Sequence, residues 1–171
     1  MNDMDYEEMI KFDKCIDFLH TIGIQTTFRT IGDDGFLPGL LIKNGVIIID
    51  RDGLQHPGDI LHEAGHIAVV PAGDRHNLTE KCIIQRTDRE AEEMMAIAWS
   101  YAASIYLEID PGFVFHEEGY RDGSSYITES CSKKEYIGLA MLQRIGLTFN
   151  EKRAQRLKVP AYPHMVKWLR D

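Results

Sequence analysis

Two histidines four residues apart, with a glutamate directly after the first, are the side chains of this sequence best suited to chemistry: His62-Glu63-Ala64-Gly65-His66. On an α-helix, positions i and i+4 share a face. Both imidazoles can therefore reach one Zn²⁺, while Glu63 beside the first can serve water at the metal as a general base. The flanks suit a buried helix, with Ile60 and Leu61 before the pattern, Ala64 and Gly65 inside it, and Ile67, Ala68, Val69 and Val70 after it. The bland alternative is a core helix carrying two hydrogen-bonded histidines. Two imidazoles and a carboxylate in so apolar a segment would then need costly compensation without a metal.

A catalytic zinc site needs a third protein ligand and an open position. The extended pattern H-E-x-x-H-x-x-G-x-x-H is excluded, because Val69 and Ala72 stand where it requires glycine and histidine. Cys15 lies in an amphipathic helical pattern and not in the Gly-Cys context of a deformylase-type ligand. A ferritin-like di-iron site would need a second Glu-x-x-His beside Glu63 to His66. What remains is a glutamate from the first turns of the following helix, where Glu90, Glu92 and Glu93 all stand.

The segment Ile60-Leu61-His62-Glu63-Ala64-Gly65-His66, followed by Glu93-Met94-Met95-Ala96-Ile97-Ala98-Trp99-Ser100, resembles the ImmA/IrrE-type minimal gluzincin metallopeptidases. That family pairs a His-Glu-x-x-His helix with a later Glu-x-x-Ala-Asn/Asp-x-Phe-Ala helix. Glu93, Ala96, Trp99 and Ser100 stand at its glutamate, first alanine, aromatic and final small position, and Ile97 replaces its Asn or Asp. The resemblance covers about residues 40–107 and leaves 109–171 outside the family pattern. It implies His62, His66 and Glu93 as zinc ligands, Glu63 as the base, and a peptide or protein substrate, with one regulatory protein as the expected target. It also implies an exposed strand beside the motif helix that pairs with substrate backbone, for which residues 46–50 are the candidate. By location, His116 and Tyr120 are candidates for an extra donor to the transition state. The rival from another class is a catalytically inert, metal-stabilised binding module, a toxin or immunity component included; Glu63 argues against it, since a structural site needs no base.

The elements that must position these residues follow from periodicity and punctuation. Apolar residues at helical spacing predict a helix over 4–22, stopped by Gly23, and β-branched residues predict a strand over 24–30. Leu40 to Lys43, the pair Asn44-Gly45, and Val46 to Asp50 predict a hairpin with a type I′ turn. Three antiparallel strands beside a helix are expected. Asp59 is the expected cap of the motif helix, which should stop at Pro71; 72–85 reads as a loop and 88–107 as a long helix with acids in its first turns. Beyond Asp110-Pro111-Gly112, residues 116–126 read as an irregular loop. Ser132 and Glu135 predict a capping box opening a helix through 145, and shorter helices are expected over 150–158 and 163–170. The fold class expected is α+β, one helix-rich domain over 1–171 with a small antiparallel sheet beside the motif helix.

Composition fits that reading. Over 171 residues, 27 acids against 19 bases give a net charge of -8, which disfavours a phosphate-tracking surface and so nucleic acid as a partner. The longest uncharged run, 94–107, is too short to span a membrane. The acidic opening residues lack the pattern of a secretory signal, so a cytoplasmic location is expected. Cys15, Cys82 and Cys131, odd in number and widely spaced, are expected to be reduced. His56, His76 and His164 are expected at the surface, and Trp99 and Tyr101 in the core.

Overall fold

Asp5 and Gly23 bound the first helix, α1 (Tyr6–Ile22): the Asp5 carboxylate accepts from Glu8 N–H, and Gly23 closes the helix at φ 94°. The computed structural model describes residues 5–32, 35, 37–120, 127, 129, 130 and 133–171, without the side chains of 118 and 120. Phe12, Cys15, Ile16, Phe18 and Leu19 of α1 face the core. Burial pushes the Cys15 thiol up to about 12, against the pull of Lys14. Cys82 is exposed, and both thiols are free; Cys131 lies outside the described residues.

Strands β1 (Gln25–Phe28), β2 (Leu40–Lys43) and β3 (Val46–Ile49) form one sheet in the order β1-β3-β2. The Asn44-Gly45 turn has φ of 53° and 71°, as a type I′ hairpin requires. A side chain at Gly45 would meet Arg75 O at 2.3 Å. The expectation of three antiparallel strands is corrected here. β2 and β3 are antiparallel, but β1 pairs with β3 in parallel, Gln25 opposite Val46 and Phe28 opposite Ile49. The tight hairpin commits β2 to one edge of β3. Just past β3, Asp50 accepts from Ile31 N–H at 2.8 Å and ties the residues that follow β1 to the end of β3. β3 is therefore central, with Ile47, Ile48 and Ile49 buried, and it has no edge to offer a substrate strand. The candidate strand 46–50 is corrected on that ground.

Beneath the sheet run α2 (Asp59–Val69), α3 (Ala72–Arg75), α4 (Glu80–Gln85) and α5 (Arg89–Tyr106). The expected loop over 72–85 is thus two short helices; Thr79 caps the second by accepting from Cys82 N–H, a signal that a polar composition masked. Then follow a 3₁₀ turn (Pro111–Phe113), one helical turn α6 (Glu117–Tyr120), α7 (Leu139–Arg144) and α8 (Glu151–Leu157). Helix α7 begins six residues later than the capping box implies. Ser132 lies outside the described residues, and Gly138, at φ 81°, packs so tightly on Met94 O that helix can start only after it.

No terminal helix forms over 163–170. Its backbone is partnered elsewhere: Trp99 Nε1 donates to Trp168 O, Val166 N–H to Leu147 O and Arg170 N–H to Ala68 O. Trp168 sits edge-on to Phe18 and Trp99. Trp99 is fully buried and Tyr101 packs half-buried on the same core. The result is the expected helix-rich α+β architecture, with a small mixed sheet. Among the described residues, no helix is long and apolar enough to cross a membrane.

Candidate metal centre

Helices α2 and α5 cross where Gly65 meets Ala96. A Cβ on Gly65 would lie 2.9 Å from Ala96 O and 3.0 Å from Ala96 Cα, so only a glycine admits this approach. Three residues back along each helix, on the faces that meet, stand His62 and Glu93. Buried Ile60, Leu61, Ala64, Ile67 and Ala68 hold α2 in the core. Its last carbonyls are capped from afar. Arg75 donates to Ile67 O, Val70 O and Arg170 O, while Arg170 donates to Ala68 O and Val69 O.

Three donor atoms converge at this crossing. His62 Nε2 and His66 Nε2 are 3.1 Å apart. One Glu93 oxygen lies 3.3 Å from His62 Nε2 and the other 3.3 Å from His66 Nε2. Zinc bonds of about 2.0–2.1 Å in tetrahedral geometry put neighbouring ligand atoms about 3.3–3.4 Å apart. Each of the three contacts has about the length of such an edge, with the Glu93 carboxylate straddling the two imidazoles, one oxygen to each, in a donor triangle of three groups. Lone-pair donors crowded this closely repel one another unless a proton or cation lies among them, so the donor set fits a divalent ion on chemistry as well as on distance.

The three candidate glutamates separate cleanly. Glu90 is exposed. Glu92, its side chain 5% accessible, faces away and accepts from Arg86 Nε at 2.6 Å. Glu93 alone faces the imidazoles. Burial raises its pKa, but hydrogen bonds from His62 and His66 and their charge outweigh that and hold the carboxyl well below the usual range. Ile97, where the family pattern has Asn or Asp, packs partly buried against the core.

Glu63 points to the other side of the motif. It is buried, places an oxygen within 4.8 Å of the histidine nitrogens, and lines a small cavity with His66, Glu80, Ile83 and Ile84. Burial raises its pKa from 4.5 to about 7; His66 opposes this, and the carboxylates of Glu80, Asp59 and Glu93 reinforce it. Glu80 went unseen in the sequence because the capped turn that carries it reads as a loop.

A second wall faces the donor triangle across a cavity of about 300 Å³ lined by Leu37, Gln55, His56, Asp59, His62, Glu93 and His116. Asp59 does not cap α2, whose N-cap is Gly58. Its carboxylate instead accepts from His116 Nε2 at 2.9 Å. Gly119 N–H donates to His116 Nδ1 at 3.1 Å, which makes that nitrogen the acceptor and Nε2 the proton carrier. His56, expected at the surface, stacks on His116 with ring centroids 3.7 Å apart. His116 is therefore in the cleft, as its location suggested, with both ring nitrogens engaged; the side chain of Tyr120 lies outside the described residues.

No family model matches this chain, and neither does any curated protein or solved structure.

Proposed function

We propose that this protein is a metal-dependent hydrolase, most simply a zinc peptidase of the gluzincin type acting on a peptide or protein. One observation carries the reading: His62 Nε2 and His66 Nε2 lie 3.1 Å apart and the Glu93 carboxylate sets one oxygen 3.3 Å from each of them, with a buried glutamate beside this donor triangle of two imidazoles and a carboxylate. His62, His66 and Glu93 would hold the ion. When bound, zinc supplies a Lewis acid that polarises a carbonyl and makes water acidic enough to lose a proton near neutral pH.

The remaining chemistry belongs to the chain. Glu63 takes a proton from the attacking water and returns it to the departing amine as the C–N bond breaks. Burial and the neighbouring carboxylates hold the Glu63 carboxyl above its usual range in the metal-free chain, which favours its taking up the proton of water. His116, clamped between Asp59 and the Gly119 amide, fixes the opposite wall. The sequence resemblance to ImmA/IrrE-type peptidases favours an amide bond over other hydrolysable bonds.

The test is zinc content by plasma mass spectrometry together with cleavage of a proteome-derived peptide library. Glu63→Gln is expected to keep zinc and lose about 10²–10⁴-fold in cleavage, whereas His62→Ala loses both. Zinc bound by wild type without cleavage of any peptide, or full cleavage by Glu63→Gln, overturns the hydrolase reading.

A further inference from the structure

Glu93 is a shared wall between two unlike cavities. The one it shares with His62 sets the polar side chains of Gln55, His56, Asp59 and His116 beside Leu37 and Pro38. The other, about 500 Å³, lies between α4 and α5 and is bounded by Ile83, Ile84, Arg89, Glu90 and Met94. Ile83 and Ile84 also line the small cavity that contains Glu63 and His66. Ile83 and Ile84 thus stand between the small cavity of the proposed base and the larger one, which falls in the size range of ligand pockets.

The isoleucines are held there by design of the fold. Thr79 caps α4, Ile83 packs against the core, and Arg89 Nη1 donates to Ile84 O at 3.4 Å. Ile84 is nonetheless 53% exposed, a cost in water that a bound apolar group would relieve. At the rim, Arg89 and Glu90 oppose each other in charge, so the cavity selects by apolarity.

We infer that the cavity between α4 and α5 is a specificity subsite that takes a branched aliphatic side chain of the substrate next to the bond broken, with Ile84 and Met94 as its specificity-determining residues. This rests on the metallohydrolase reading, since it is the donor triangle that places the bond.

Two isosteric hydroxamates test it by calorimetry on the zinc-loaded protein: 4-methylpentanohydroxamate, ending in an isopropyl group, and succinamoyl hydroxamate, ending in a carboxamide of the same shape. Acetohydroxamate is the reference. The isopropyl compound is expected to bind about 10- to 100-fold more tightly than the carboxamide. Ile84→Asn, at an exposed position, and Met94→Gln are each expected to shrink that ratio while zinc content and acetohydroxamate affinity stay unchanged. Equal affinity of the two isosteres, with acetohydroxamate still bound, overturns the subsite and leaves the metal centre standing. Failure of all three hydroxamates to bind overturns the metallohydrolase reading and the subsite with it.

Discussion

Two pairs of histidines meet at one cleft, which His56, His62 and His116 line, and the pairs are built to opposite ends. His62 and His66 come from a single buried helix and turn their Nε2 atoms toward a common point with Glu93. His56 and His116 come from separate loops, stack face to face, and His116 spends both nitrogens on Asp59 and the Gly119 amide. The lesson is that an imidazole is a ligand only where its neighbours leave a lone pair aimed at shared space. The first pair has carboxylate oxygens on that point; in the second, His116 has both nitrogens satisfied by the chain and His56 lies stacked on its ring.

The largest effect expected from this contrast is on metal affinity. His62→Ala, His66→Ala and Glu93→Gln should each weaken zinc binding, read by competition with a chromophoric chelator, by more than about 100-fold, the upper end for residues that only support ligands. His56→Ala, His116→Ala and Glu92→Gln should change it by less than about tenfold. A large loss on His116→Ala would erase the distinction between the pairs. Metal removal gives the matching stability readout: zinc at about 100 times its dissociation constant adds about 2.7 kcal/mol, so a chelator should lower Tm in wild type and leave His62→Ala unmoved.

A pH experiment on the metal-free protein sharpens the same contrast. Burial raises the Glu63 pKa in the folded state from 4.5 to about 7, so the folded chain binds more protons than the unfolded chain between those values. The Glu63 contribution to stability should therefore be fully present below about pH 4.5, fall as pH rises toward 7, and flatten above it, while the lowered Glu93 carboxyl acts in the opposite sense in acid. Glu63→Gln should abolish this slope, an effect of at most about 3 kcal/mol, measured as the difference in unfolding free energy across that range.

Two glycines supply the smallest expected effects. Gly65→Ala drives a Cβ into the backbone of Ala96 and should cost about 1–3 kcal/mol in denaturant unfolding while loosening zinc. At Gly119 the atoms nearest a Cβ belong to the His116 ring, at 2.7 Å, so the change displaces a side chain and its hydrogen bond to Asp59 and not a helix backbone. Gly119→Ala should cost less than about 1 kcal/mol and spare the metal. Equal costs at the two sites would mean that the helix crossing is no more constrained than the loop wall.

Where local rules govern, the sequence was readable. Gly23 and Asn44-Gly45 act through their own backbone preferences, and α1, the hairpin and α5 lie close to where those signals put them. Elements whose partners are distant in sequence were misread. Residues 163–170 look helical by pattern, yet their backbone bonds go to Ala68, Leu147 and Trp99. The reading of β1 as antiparallel and of 46–50 as an exposed strand failed for the same reason, because strand order depends on which strands pair and not on residues inside one of them.

The candidate site divides along that line. His62, Glu63 and His66 are determined by sequence, because four residues on a helix return to the same face whatever surrounds it. Glu90, Glu92 and Glu93 differ only in angle around α5, and that angle is decided by a contact between helices: Gly65 lets Ala96 approach, Arg86 draws Glu92 aside, and Glu93 is left facing the histidines. Helical phase is local, whereas the direction a helix faces is fixed only by what packs against it.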